Sequence, residues 1–263
     1  MTRKSRQHGF SLTETLMAVG TLAIGLTFIA GSFLTGMYLS TFSTERTIAA
    51  VAAEEAFAKM QIFALDPNSS GLKTSGHADY NDVASLGDDQ WLYPSVADET
   101  TKQYSWAAIC RSMGPASDLV QCTVFVSREI GGASSFWKRA DGASDSSLEL
   151  SDRPRPVWLK VGRDSSADED EITILDAIAS DKVDERSFVS DGSILVDDAT
   201  GCMYRVLERS VDRPGTITLD RDWEGAALSS DGDGKVWVVP PPISGGRNPG
   251  VAAYQKIIRL PRS

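Results

Sequence analysis

Apolar and polar positions divide this chain into stretches of different period. From Thr15 to Leu39 the sequence TLMAVGTLAIGLTFIAGSFLTGMYL carries no charged residue. A membrane-crossing helix needs about 20 mainly apolar residues, so this run predicts a span. The helical pattern continues from Phe42 to Ala64, where TERTIAAVAAEEAFAKMQIFA begins at Thr44. That segment is rich in strong helix formers and free of Gly and Pro. Ala49, Ala52, Ala53, Ala56, Met60 and Phe63 recur at helical spacing and predict one apolar face. Asp66-Pro67 followed by Asn68-Ser69-Ser70-Gly71 is a stop signal. A helix from Leu12 to Ala64 would be about 75–80 Å long at 1.5 Å per residue.

Beyond residue 66 the pattern shortens. Residues 66–100 are polar and predict a surface connection. Strands are expected near Gln103–Arg111 and Leu119–Arg128, with further strand character at Phe136-Trp137 and Val157–Val161. ADGASDSSLELSDRPRP, between them, is a low-complexity loop or linker. The segments EITIL, SFVSD, SILVDD, CMYRVLER, GTITLD, KVWVVP and KIIRL are short, β-branched and separated by turn residues. Asp198-Ala199-Thr200-Gly201 predicts a tight turn between SILVD and CMYRVLE. Asp176–Lys182 is a candidate single helical turn. The expected class is α+β: a long N-terminal hydrophobic helix packed on an antiparallel sheet, with an extra C-terminal β module.

Charge and cysteine content narrow the setting. The 263 residues include 26 Lys and Arg against 36 Asp and Glu, a formal net charge of −10. Arg3, Lys4 and Arg6 precede the apolar run with no acidic residue among them. Without those three, 23 basic residues face 36 acidic ones and the net charge becomes −13. An acidic exterior repels nucleic acid, so no nucleic-acid partner is expected. Basic residues ahead of the span favour a cytoplasmic N-terminus and place the bulk of the chain outside the cytoplasmic membrane. Disulfides are permitted there. Cys110 and Cys122 lie in two adjoining strand-like segments and form a candidate bridge, leaving Cys202 as the odd one out. Three small buried hydrophobes is the competing view, and the spacing fits no zinc pattern.

The residues ahead of the span carry the most specific signal. The basic MTRKSRQH is followed by GFSLTE, Gly9 to Glu14, and then by the uninterrupted apolar run. Over residues 1 to about 60 this resembles the type IV prepilin and type II secretion pseudopilin family. LAIGL, Leu22 to Leu26, is most similar to its minor-pilin and minor-pseudopilin branch. The resemblance implies cleavage between Gly9 and Phe10 by a prepilin peptidase and N-methylation of Phe10. It further implies that Glu14 pairs with the amine of a neighbouring subunit during assembly. A carboxylate and an ammonium in apolar surroundings each carry a desolvation penalty that contact partly offsets. An ordinary secretory signal would need a shorter apolar stretch and an A-x-A-like site. A plain signal anchor would need neither Glu14 nor the Gly9-Phe10 pair.

The expected organisation is a leader at 1–9, a helix at 10–64 with a membrane half (10–40) and a head-packing half (41–64), a pilin-like β head at 65–150 and a C-terminal β-rich region at 151–263. Gly20, Gly25, Gly31 and Gly36, with Thr27, Ser32 and Thr35, suit close helix approach. Ordinary span composition accounts for them equally well. Asp231 and Asp233 in SDGDG are a weak calcium candidate. A hairpin turn explains the same letters. The acidic run Asp164–Glu171 is expected to be a solvated loop. Catalysis is not expected: only His8 and His77 are available, and no G-x-S-x-G elbow, Walker or dinucleotide fingerprint occurs. No cofactor is expected. The implied partners are the prepilin peptidase, other pilins or pseudopilins and the inner-membrane assembly platform. The alternative is a membrane-anchored extracytoplasmic binding module. A secreted hydrolase depending on His77 is the weakest option.

Overall fold

In the computed structural model the described residues are 11–63, 72–84, 86–95, 103–114, 117–129, 134–140, 147–175, 183–213, 215–225, 227–229, 234–246 and 248–259. The chain divides into two compact units, Met1–Thr47 and Ile48–Ser263. One helix, α1, runs through Leu12–Ile62. Its start is explained locally. Ser11 stands just ahead of the helix, and its Oγ accepts a hydrogen bond from the Glu14 amide at 3.2 Å, which satisfies one of the unpaired donors of the first turn. Ser11-Leu12-Thr13-Glu14 is a capping-box sequence, and an acidic residue in the first turn also suits the helix dipole.

In the second unit, α1 buries Ala49, Ala52, Ala53, Ala56, Phe57 and Met60. The expected apolar face is therefore present, with two differences: Phe57 joins it, and Phe63, one residue past the helix, is 48 % exposed. Alanines let a helix backbone approach a sheet closely, and the sheet supplies the larger side chains. Among the described residues five strands form that sheet: β1 (Ala78–Asp79), β3 (Tyr104–Ser112), β4 (Leu119–Arg128) and β13 (Gly250–Arg259) in that order, with β2 (Leu92–Tyr93) also pairing β3. All neighbours are antiparallel. Alternation along β3 and β4 sends Trp106, Ala108, Cys110, Cys122, Val124 and Val126 into one core with α1. A short helix, α2 (Tyr80–Val83), and one 3-10 turn, Asp88–Trp91, close its end with Tyr80 and Trp91 against Trp106.

The remaining strands are β5 (Phe136–Arg139) and β6 (Leu148–Ser151), which form a hairpin, and a closed six-stranded antiparallel barrel. The barrel contains β7 (Val157–Gly162), β8 (Glu171–Leu175), β9 (Ile194–Asp197), β10 (Met203–Arg209), β11 (Thr216–Leu219) and β12 (Gly234–Val238), in the closed order β10-β11-β8-β7-β12-β9. Inward positions such as Val157, Leu159, Ile172, Leu195, Tyr204, Val206, Ile217 and Val236 fill it. Small barrels are packed by alternate residues of every strand, and closure removes all free edges.

The α+β class of the sequence analysis is present, but the head is more than a helix on a simple sheet. The strands cut across the boundary expected at residue 151: 157–238 supply the barrel, whereas 250–259 return to pair β4 in the first sheet. The excursion leaves and re-enters at one place, for the Arg128 amide donates to the Pro249 carbonyl at 2.8 Å. One expected strand is absent. SFVSD begins inside a 3-10 turn, Glu185–Phe188, and runs into a turn at 191–192. Asp184 caps that turn by accepting from the Arg186 amide at 3.0 Å, and Ser193 binds the Ser190 amide at 3.0 Å. Local side-chain bonds of this kind compete with strand pairing. The candidate helical turn Asp176–Lys182 lies outside the described residues.

Candidate functional site

Two surfaces combine sequence-predicted residues with definable geometry. The first is the apolar half of α1. Large side chains there are widely exposed, including Leu16, Met17, Val19, Phe28, Ile29, Phe33 and Leu34. The helix is long and apolar enough to cross a membrane, and none of its most apolar window is buried. Hydrocarbon cannot satisfy hydroxyl groups, so any in a span must bond internally. Three threonines do so: Thr21, Thr27 and Thr35 donate to the carbonyls of Met17, Ala23 and Gly31 at 3.1, 2.9 and 3.0 Å. Thr27, Gly31, Ser32, Thr35 and Gly36 lie along one shallow groove, bordered by Ile24, Phe28 and Leu39. A Cβ added at Gly31 or Gly36 would meet nothing within 4 Å. Small residues at this spacing allow another helix to approach closely. Glu14 sits exposed in the first turn. Gly9 and Phe10 lie outside the described residues.

The second surface is the junction between sheet and barrel. Its centre is the predicted tight turn Asp198–Gly201 between β9 and β10. Asp197 builds the turn by accepting from the Thr200 amide at 2.9 Å and the Thr200 hydroxyl at 2.5 Å. Gly201 has φ +77°, and a Cβ there would crowd the Gln121 side-chain amide. The backbone angle therefore calls for glycine. The turn is then gripped from the sheet. Asp198 Oδ1 accepts from the His77 amide at 2.8 Å and from Trp237 Nε1 at 2.7 Å. His77 Nδ1 donates to the Asp198 carbonyl at 2.7 Å. Arg111 donates to the carbonyls of Ala199 and Thr200 and holds Gln121 at 2.7 Å. Gln255 donates to the Gly201 carbonyl at 2.8 Å.

The electrostatics explain what this constellation can do. Burial holds His77 below its ordinary pKa, opposed by its hydrogen bond to the Asp198 backbone and by the Asp198 charge. The ring is neutral at pH 7, so its contact with Asp198 is a hydrogen bond rather than an ion pair. With Nδ1 as donor, Nε2 is a buried acceptor that has no hydrogen-bond partner among the described residues. Asp198 approaches the ring through its carbonyl and its carboxylate, both on the Nδ1 side. This geometry fastens two parts of the head together.

The other predicted residues separate. Cys110 and Cys122 are directly opposite each other in β3 and β4, both buried, and no bridge joins any of the three cysteines in this structure. Cys202 packs against the barrel core. Asp231 and Asp233 lie outside the described residues. Among the described residues no group of three or more His, Cys, Asp or Glu is placed to hold a metal ion. The residues missed by the sequence analysis are Arg111, Trp237 and Gln255, which bond the turn directly, and Gln121, which holds Arg111. Only the Asp-Ala-Thr-Gly turn itself left a readable signal. Compared with known family models, curated proteins and solved structures, the chain matches none.

Proposed function

We propose that this chain is a structural, non-enzymatic subunit of the minor pilin or minor pseudopilin kind, built into a type IV pilus or a type II secretion pseudopilus. The observation that carries the proposal is α1: a single capped helix whose apolar residues stay exposed for its first half, with Glu14 in its first turn and its threonine hydroxyls bonded internally. The basic leader and the Gly9-Phe10 junction supply the processing step, cleavage and methylation by a prepilin peptidase. The chain then sits in the cytoplasmic membrane with its N-terminus inside and its head outside. Glu14 pairs with the Phe10 amine of a neighbouring subunit and sets axial register, while the small-residue groove lets helices pack. Other pilins or pseudopilins and the assembly platform are its partners. A barrel inserted in the head is hard to repeat in every turn of a filament, which favours a low-copy position.

Glu14→Ala tests the assembly role. The variant is expected to be cleaved normally but to be lost from sheared filaments, as read by immunoblot of filament and membrane fractions. Mass spectrometry of the mature N-terminus is expected to find methylated Phe10. Normal incorporation of the variant, or a chain still beginning at Met1, overturns the proposal. The separate core of the barrel favours a second reading, a membrane-anchored binding module, and an unprocessed N-terminus would support it.

A further inference from the structure

The register of the central hairpin carries an inference about its two cysteines. Met113 N–H donates to the Leu119 carbonyl at 3.0 Å, and Glu129 N–H donates to the Gln103 carbonyl at 2.9 Å. Both pairs continue the β3–β4 register, in which Cys110 faces Cys122. Hydrogen-bonded and non-hydrogen-bonded pairs alternate along an antiparallel ladder. Positions 103 and 113 are odd, so position 110 falls in a non-hydrogen-bonded pair. The Cα atoms of such a pair are about 4.5 Å apart, within the roughly 4.4–6.8 Å that a disulfide accepts. The two side chains leave the sheet on the same face and are buried in one core. They lie in the core that holds Ala52, Ala53 and Ala56 of α1, whereas Cys202 packs against the barrel on the other side of the sheet. Of the three pairings that three cysteines allow, the fold brings one together.

We propose that Cys110 and Cys122 are joined by a disulfide in the mature protein, made before the head closes. The bond rests on the extracytoplasmic placement argued above, because persistent disulfides need an oxidising compartment. A small-molecule or protein disulfide is the oxidant. One cysteine thiolate attacks it and releases the first thiol. The second cysteine thiolate attacks the mixed disulfide and releases the other. Two hydrogens and two electrons leave the pair, and one disulfide becomes two thiols. Timing follows from burial. Cys110 and Cys122 are 0 % and 1 % exposed, and burial drives the Cys110 thiol well above its ordinary pKa. The folded pair is therefore sealed from oxidant, and only the open chain reacts. Once made, the bridge fastens the two central strands that carry α1 on one face and the barrel on the other.

The test uses the full chain purified in detergent. It is reduced, unfolded, refolded in mixed oxidised and reduced glutathione, then unfolded again with an alkylating reagent and digested with trypsin. The expected product is a linked pair of peptides, one ending at Arg111 and the other containing Cys122, with Cys202 alkylated. Alkylation or glutathione adducts on both Cys110 and Cys122, or a bridge to Cys202, overturns the proposal. The protein folded while reduced, then given oxidised glutathione without unfolding, is expected to show at least a tenfold slower loss of the two thiols. Equal rates overturn the assigned timing. External protease on spheroplasts reads placement separately. A protected head overturns the extracytoplasmic reading, whereas an exposed head with a reduced pair in membranes overturns the bridge.

Discussion

The two faces of the central sheet are held by different chemistry. The face toward α1 is closed by Trp106, Ala108, Val124 and Val126 against alanines, with Tyr80 and Trp91 at one end. The face toward the barrel has a small apolar centre, Ile109 and Phe125 with Val196, Trp237 and Val239, surrounded by Arg111, Gln121, Thr123 and Gln255. Apolar burial is non-directional and tolerates small shifts. Buried polar contacts hold one geometry and carry a large penalty when a partner is lost. The first face is therefore closed by packing that tolerates adjustment, and the second specifies where the barrel sits.

The largest effect is expected where the apolar face is emptied. Trp106 is 1 % exposed, touches Tyr80 and Trp91, and donates its Nε1–H to the Gln90 carbonyl at 3.0 Å. Trp106→Ala is expected to cost about 3–5 kcal/mol, from lost transfer energy and the cavity left behind. Urea unfolding of the full chain in detergent, followed by circular dichroism, measures it. A change below about 1 kcal/mol would mean that the aromatic cluster repacks.

A smaller and more local effect is expected on the polar face. Asp198→Ala leaves the His77 amide and Trp237 Nε1 without their acceptor. Each unsatisfied buried donor costs about 1–3 kcal/mol. Hydrogen exchange should quicken at His77–Asp79 and at Asp198–Gly201 while Ala49–Met60 keeps its protection. Equal acceleration along α1 would mean that the two faces are not energetically separate.

The smallest effect is a dependence on pH. His77 has a folded pKa below its ordinary 6.5, with burial as the main cause, while Asp198 and Asp197 pull it up and Arg111 pushes it down. Above 6.5 the ring is neutral in both the folded and the unfolded chain. As pH falls through that value toward the folded pKa, the unfolded chain takes up a proton that the folded head resists, so stability is lost. His77→Gln is expected to narrow the difference in urea midpoint between about pH 7.5 and about pH 5.5, since Gln does not titrate in that range. An unchanged difference would assign the pH dependence to other groups.

Much of the helix and little of the junction was legible beforehand. The apolar run, the alanine face and Glu14 are local patterns, and α1 follows them almost to the residue. The strands of the barrel were largely visible as short β-branched segments, because each alternates inward and outward positions. SFVSD looked like one of them, but Asp184 and Ser193 bond the nearby backbone instead. The return of Gly250–Arg259 to β4 had no local signature, since a strand's composition does not say which edge it joins. The grip on Asp198 was hidden for the same reason, as His77 meets it across 121 positions of chain.

By itself the sequence determined the period of each segment: a helix apolar all round and then on one side, followed by strands of period two. These depend on backbone geometry and on the solvent each face requires, both of which act within a few residues. Tertiary structure alone decided the partners. It closed six strands into a barrel, set Cys110 opposite Cys122, and brought His77, Trp237 and Asp198 together. Such choices are made by shape fit and by pairing of buried polar groups between distant segments, and no stretch of chain contains both halves of that information.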